Sequence, residues 1–157
     1  MYTPGKRKIF IISLLIPLAT GGLSGFLTRN AMNLYGTLNQ PPLSPPSWLF
    51  PVVWTILYIL MGISSYKIYL SGSPKTFDAL LLYGLQLVLN FIWPLVFFIG
   101  ENHLIAFIIL VLLWYVVLQM IQSFYDILPL AGLLQIPYLI WLTFAGYLNL
   151  MIYFINR

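Results

Sequence analysis

A chain of 157 residues in which 61% are hydrophobic and 6% charged has far too few charges for a soluble domain, which carries roughly 25%. Lipid is the solvent that such a composition requires. With no cysteine, disulfides, thiolate metal sites and cysteine nucleophiles are excluded together. The net charge of +4 comes from seven Lys and Arg at the ends of apolar runs, a topology signal and not a nucleic-acid footprint.

Five stretches reach the roughly 20 apolar residues that a helix needs to cross the hydrocarbon core. The expected architecture is an all-α integral membrane protein, a single transmembrane domain over residues 1–157, with helices at about 9–27, 48–70, 77–99, 103–125 and 128–155. The apolar centres of the last four run over 48–66, 79–98, 104–125 and 128–154. The first run follows Lys6-Arg7-Lys8 and ends without a small-x-small cleavage site, so it reads as a crossing and not as a secretory signal. Inside it, Gly21 and Gly25, with Gly22 and Ser24 nearby, favour close helix approach within the bundle or across a homodimer.

Residues 28–47 form the one long connection. Pro41-Pro42 and Pro45-Pro46 predict a segment stiffened toward polyproline geometry, a shaped lid or a plain surface loop. Later connections are short: Ser71-Gly72-Ser73-Pro74-Lys75, Gly100-Glu101-Asn102-His103, and a tight turn at Asp126-Ile127-Leu128-Pro129. Pro17, Pro94 and Pro137 are expected to bend their helices and open space between them. Lys6, Arg7, Lys8, Lys67 and Lys75 fall on one side, against Arg29 and Arg157 on the other. That asymmetry predicts a cytoplasmic N-terminus, in a bacterial plasma membrane by default.

The spans carry no Asp, Glu, His, Lys or Arg in their interiors, which disfavours ion-coupled transport and pumping. They carry neutral polar and aromatic residues at helical spacing. Trp54, Tyr58, Met61 and Ser65 share a face of the second span, and Tyr83, Gln86, Asn90, Trp93 and Phe97 a face of the third. Tyr115, Gln119, Gln122 and Asp126 do so on the fourth, and Tyr138, Trp141, Ala145 and Asn149 on the fifth. Polar side chains avoid lipid by facing other helices, so all four stripes are expected to converge on the interior. There they either bind helices together or line a cavity for a large, flat, mostly apolar ligand. Ala145, one turn after Trp141, leaves room beside an aromatic wall. His103, at a loop edge, reads as a solvated interfacial histidine or as an axial haem ligand.

The order of these residues resembles the translocator protein family, also called tryptophan-rich sensory proteins or peripheral-type benzodiazepine receptors. The resemblance is carried by Leu38-x-x-Pro41-x-x-x-Pro45-Pro46-x-Trp48 and Val53-Trp54-x-x-Leu57-Tyr58-x-x-Met61-Gly62-x-x-x-Tyr66. It continues in Gln86-Leu87-x-Leu89-Asn90-x-x-Trp93-x-x-x-Phe97-Phe98 and Pro137-Tyr138-Leu139-x-Trp141-Leu142-x-Phe144-Ala145-x-x-Leu148-Asn149. It implies five helices around a ligand pocket closed by the first loop, commonly as a homodimer. The implied ligands are porphyrins such as protoporphyrin IX, with sterols in eukaryotic members and isoquinoline or benzodiazepine drugs. The implied pocket is Trp54 and Tyr58, Asn90 and Trp93, then Trp141, Phe144, Ala145 and Leu148, with Tyr35 reaching in from the loop.

Bacterial relatives also imply a light-dependent porphyrin degradation, for which Trp54 and Trp141 occupy the matching positions as candidate catalytic residues. No resident cofactor or metal is implied. The chain departs from the family at Leu34 and Leu43, where loop tryptophans are usual. Leu150 stands at the position of the eukaryotic sterol-motif Tyr, while Leu148-x4-Tyr153-x3-Arg157 fits the loose sterol pattern only formally. Three roles follow as expectations: a tetrapyrrole receptor or carrier, a photo-oxidising enzyme, or a structural partner for other membrane proteins.

Overall fold

The computed structural model describes residues 4–157. Its long helices are α1 (Pro4–Thr28), α3 (Leu49–Leu70), α4 (Thr76–Pro94), α5 (His103–Ile127) and α7 (Ile136–Ile155), with short α2 (Met32–Tyr35) and α6 (Pro129–Leu133). Among the described residues there is no strand. Five helical segments are long and apolar enough to cross a membrane, the third extending α4 to Ile99 and the fifth joining α6 to α7. The protein is thus a five-span membrane bundle. The loop of residues 29–48, the 100–102 turn and the end of α7 share one face, and the start of α1, the 71–75 turn and Leu128 share the other.

Pro17 does not interrupt α1. Lacking an N–H, it leaves the Ser13 carbonyl without its helical donor. That carbonyl points at Gly62 of α3, where a Cβ would stand 2.8 Å from the oxygen and 2.9 Å from Leu14 Cα. One turn or two further along α1, a Cβ on Gly21 would stand 2.1 Å from the Tyr58 ring. The two glycines, one from each helix, let α1 and α3 lie close along much of their length. Gly21 therefore serves the bundle, whereas Gly22 and Gly25 are exposed with open space beside them.

The other two prolines act differently from the expected bends. After Pro94 the chain passes into a wider π-helical turn, Leu95–Ile99, closed by the Gly100 N–H on the Leu95 carbonyl at 3.0 Å. This local widening is a common way to absorb a break in the helical ladder. Pro137 lies in the first turn of α7, where a missing N–H costs nothing. The fifth span is instead broken before it, at Leu134 and Gln135.

A break at membrane depth frees backbone groups that lipid cannot satisfy. The Gln135 N–H turns to the Gly132 carbonyl at 3.0 Å, so the Ala131 carbonyl loses its helical donor. The Ser64 hydroxyl of α3 donates to it. The Gln135 side-chain amide donates to the Leu60 carbonyl at 3.1 Å, tying the break to α3. Gly132 permits the close approach of α6 to α5, since a Cβ there would meet Tyr125 backbone at 2.9 Å.

The second, third and fifth polar stripes face inward as expected: Tyr58, Met61, Ser65, Tyr83, Gln86, Asn90, Phe97, Tyr138, Ala145 and Asn149 are all buried. The fourth does not. The buried face of α5 is Ala106, Leu110, Leu113, Val117, Met120, Ile121 and Phe124, and Tyr115, Gln122 and Asp126 are exposed on the opposite side. Tight packing selects the small and smooth aliphatic face, and the polar residues are left facing out.

Candidate ligand-binding site

Three helices build the site from rings and amides. α3 and α7 are not among the closely packed helix pairs, and aromatic side chains span the gap between them. Trp54 stacks on Tyr58 with centroids 5.6 Å apart and meets Tyr138 of α7 edge-on at 6.1 Å. Phe50, one turn before Trp54, meets Trp141 edge-on at 5.9 Å, and Trp141 in turn contacts Phe144 at 5.6 Å. Such offset and edge-to-face pairs are the favoured arrangements of aromatic quadrupoles.

Beneath the rings runs a buried chain of hydrogen bonds. The Tyr58 hydroxyl donates to Asn90 Oδ1 at 2.7 Å, and Asn90 Nδ2 donates to the Tyr138 hydroxyl at 2.8 Å. That hydroxyl donates onward to Gln86 Oε1 at 2.8 Å. Every link joins different helices, so the chain fixes the spacing of α3, α4 and α7 and holds the aromatic faces above it. A second link lies nearer the loop: Trp93 Nε1 donates to Asn149 Oδ1 at 3.0 Å, and Asn149 Nδ2 donates to the His103 carbonyl at 2.8 Å.

One polar atom of the site stands apart. Trp141 Nε1 is buried with no acceptor among the described residues. Tyr83 Oη and Gln135 Oε1 are also buried without a partner, nearer the opposite face of the membrane.

The loop of residues 29–48 closes the other end. Tyr35 packs on Phe97 and Phe98 at 5.9 and 5.5 Å, which the π-helical turn presents side by side. Burial raises the Tyr35 phenol above its ordinary range, partly opposed by the Gln40 amide. A polyproline run is absent from the loop's centre. The Ser44 N–H and hydroxyl both bond the Pro41 carbonyl, at 3.3 and 2.8 Å, and the turn puts Leu43 at φ 69°, where it is 81% exposed.

The loop is fastened to α7. The Asn39 N–H donates to Asn156 Oδ1 at 2.9 Å, Asn156 Nδ2 donates to the Asn39 carbonyl at 3.0 Å, and the Tyr147 hydroxyl donates to the Pro42 carbonyl at 2.8 Å. Two clefts, of about 280 and 290 Å³, open on this face; both are bordered by Glu101, His103 and Asn156, the larger also by Tyr35 and Phe98. Asn156→Ala should loosen the loop by about 1–2 kcal/mol for its two exposed bonds. Hydrogen exchange at residues 39–44 should then run about 5- to 30-fold faster.

The expected site residues therefore come together as two linked groups. Trp54, Tyr58, Asn90, Trp141, Phe144 and the buried Ala145 belong to the α3–α4–α7 array, and Leu148 is buried further along α7. Tyr35 joins the Phe97–Phe98 group, and Trp93 packs against both. Sequence reasoning placed Gln86, Tyr138 and Asn149 on inward stripes without assigning them to the site, and missed Phe50, Tyr147 and Asn156. Phe50 carries a signal, being an aromatic four residues before Trp54 on the same face. The sterol-like pattern does not form one surface: Leu148 is buried inside, while the Arg157 guanidinium lies over the Phe154 ring at 5.0 Å.

This arrangement can be set beside known proteins. The model of the TspO/MBR family matches residues 13–155. The chain belongs to the TspO/MBR family. The "Tryptophan-rich protein TspO" of Chlorobaculum tepidum is 37% identical over 156 residues, covering 96% of this chain and 99% of that protein. The "Tryptophan-rich sensory protein" of Cereibacter sphaeroides is 38% identical over 116 residues, 73% of this chain and 72% of that protein. The "Translocator protein" of Bos taurus is 37% identical over 139 residues, 86% and 82% of the two chains. Membership of the TspO/MBR family, with its membrane architecture, thus agrees with the five spans.

Proposed function

We propose that this protein is a membrane receptor or carrier that binds tetrapyrroles such as protoporphyrin IX, and similar flat apolar molecules, between α3, α4 and α7. The observation that carries this reading is the state of the site's polar atoms. Tyr58, Asn90 and Trp93 are satisfied within the chain, while the Trp141 indole N–H is buried and unpaired. An unpaired buried donor costs about 1–3 kcal/mol. A ligand offering a carboxylate, carbonyl or ring nitrogen recovers that energy, and the flat walls around Trp141 suit a flat partner. The protein's own rings fill the space, so entry requires the Phe50–Trp141 and Trp54–Tyr138 contacts to part and the loop to lift. The excess of Lys6, Arg7, Lys8, Lys67 and Lys75 on one face supports a cytoplasmic side for that face, in a bacterial plasma membrane.

Titration with protoporphyrin IX, followed by tryptophan fluorescence and the Soret band, should give saturable quenching. Trp141→Phe keeps a ring and deletes only the donor and part of the wall; it should weaken binding about tenfold, for roughly 1.4 kcal/mol. The reading fails if quenching does not saturate, or is unchanged in both Trp54→Phe and Trp141→Phe.

A second reading, light-driven porphyrin degradation, is favoured by the two indoles bordering one ring cluster. An excited tetrapyrrole can draw an electron from a stacked indole and pass it to dissolved dioxygen, the oxidant that the degradation consumes. The phenols of Tyr58 and Tyr138 bond amide oxygens, which are too weakly basic to take a proton, so the oxidation rests on Trp54 and Trp141. Bleaching under light that outpaces free porphyrin in detergent, and is lost when both tryptophans are replaced, supports it; equal bleaching of the free pigment removes it.

A further inference from the structure

The loop of residues 29–48 has the wrong surface for water. From Asn30 to Trp48 there is no Asp, Glu, Lys, Arg or His, where a soluble chain carries roughly one charge in four residues. Leu34, Leu43 and Trp48 are exposed along it. Leu43 is the extreme case, standing almost free at φ 69°. That left-handed backbone suits Gly, Asn or Asp and strains a leucine.

The turn also lies below the end of α7. Asn39 is bonded to Asn156, just past the helix, while the Pro42 carbonyl accepts from Tyr147. Tyr147 precedes Asn156 by nine residues, which is roughly 13 Å along the axis. The Cα–Cβ bonds of a helix lean toward its N-terminus, so the Tyr147 side chain reaches away from the loop face of the bundle. The chain from Asn39 to Pro42 therefore descends beside α7, by up to about 10 Å. It does so at the perimeter, because Tyr147 lies off the buried face of α7 that carries Leu148 and Asn149.

The backbone of the turn suits that depth. Of residues 41–46, four are proline and have no N–H to satisfy. Leu43 and Ser44 keep theirs, and the Ser44 N–H bonds the Pro41 carbonyl at 3.3 Å. The Pro41 and Pro42 carbonyls both have donors within the chain. A segment with so few open donors loses little by leaving water.

We propose that this turn is a membrane anchor, with Leu43 inserted among the phospholipids of the leaflet on the loop's side, at the level where the acyl chains begin. Trp48, exposed at the start of α3, marks the same interface, where tryptophan is favoured. Burial of the leucine in lipid offsets the strain of its backbone. The lid is then held from two sides, by its bonds to α7 and by the bilayer, and lifting it withdraws Leu43 from lipid. The anchor does not depend on which ligand the site takes.

The chain has no cysteine, so a single cysteine at Leu43 can carry an environment-sensitive fluorophore in phosphatidylcholine nanodiscs. Ile140, exposed within the span of α7, and Arg157, at the chain end, give the lipid and water controls. The label at 43 should be quenched by phosphatidylcholine spin-labelled high on its acyl chains, as at 140, and shielded from iodide, unlike at 157. Leu43→Asn adds a test of sign. Asn tolerates the left-handed backbone, so in a loop bathed by water it should leave amide exchange at Asn39 and Gln40 unchanged or slower. Loss of a lipid-buried leucine should instead speed that exchange about tenfold. The proposal is overturned if iodide quenches the label at 43, if neither quencher reaches it because protein covers it, or if exchange in Leu43→Asn is unchanged or slower.

Discussion

Gly62→Val should be among the most damaging single substitutions in the bundle. A Cβ at Gly62 would lie 2.8 Å from the Ser13 carbonyl and 2.9 Å from Leu14 Cα, so backbone, not a flexible side chain, has to move. Overpacking of this kind costs typically 1–3 kcal/mol, and a valine against backbone belongs at the upper end, about 3 kcal/mol. Gly62→Ala should cost about half as much. The cause can be separated from a general loss of packing. Pro17→Leu restores an N–H that draws the Ser13 carbonyl back into the α1 ladder, and it should recover part of the loss in the Gly62→Ala background. Thermal unfolding in detergent reads both effects; equal losses with and without Pro17→Leu would show that the carbonyl is not the obstacle.

Asn90→Leu, which keeps the branching of the side chain, should cost about 2–4 kcal/mol. It deletes the acceptor for Tyr58 and the donor to Tyr138. Tyr58 is then left with a buried, unpaired hydroxyl, at about 1–3 kcal/mol. Tyr138 keeps its bond to Gln86 and contributes less. Removing the orphan should therefore help: Tyr58→Phe combined with Asn90→Leu should be less damaging than the sum of the two, by about 1–2 kcal/mol. Strict additivity would mean that the two side chains act independently, and the hydrogen-bonded chain would lose its role in spacing α3, α4 and α7.

The five crossings were legible because they rest on length and charge alone. The stripes on α3, α4 and α7 were legible because aromatic and amide residues recur there at one angle. The stripe on α5 has the same periodicity and the opposite direction. Periodicity identifies a face, but in lipid both faces of a helix are apolar, so hydropathy cannot say which one turns inward. Leu113, Val117 and Met120 were chosen by fit against neighbouring helices, and that fit is a property of the assembled bundle. The prolines show the same limit. Pro17, Pro94 and Pro137 look alike in sequence, yet one is absorbed within a helix, one precedes a π-helical turn and one starts a helix. The difference lies in what stands opposite: Gly62 for Pro17, and Ser64 and the Leu60 carbonyl for the break before Pro137. For the candidate site, the ring-bearing residues could be named from sequence. The unpaired Trp141 N–H could not, because a missing partner is visible only once every neighbour has been placed.

The fastening of the loop has a bearing on how the protein is made. Asn39 and Asn156 are 117 positions apart, and the loop they close sits between the first two spans. While the ribosome is still delivering the third or fourth span, the Tyr147 and Asn156 partners of the loop do not yet exist. The mouth of the bundle is therefore the last part to be completed, and a half-inserted chain lacks the bonds that hold Asn39 and Pro42 in place. A quality-control factor that surveys newly inserted helices would meet an open mouth in every unfinished chain and a shut one in every finished chain.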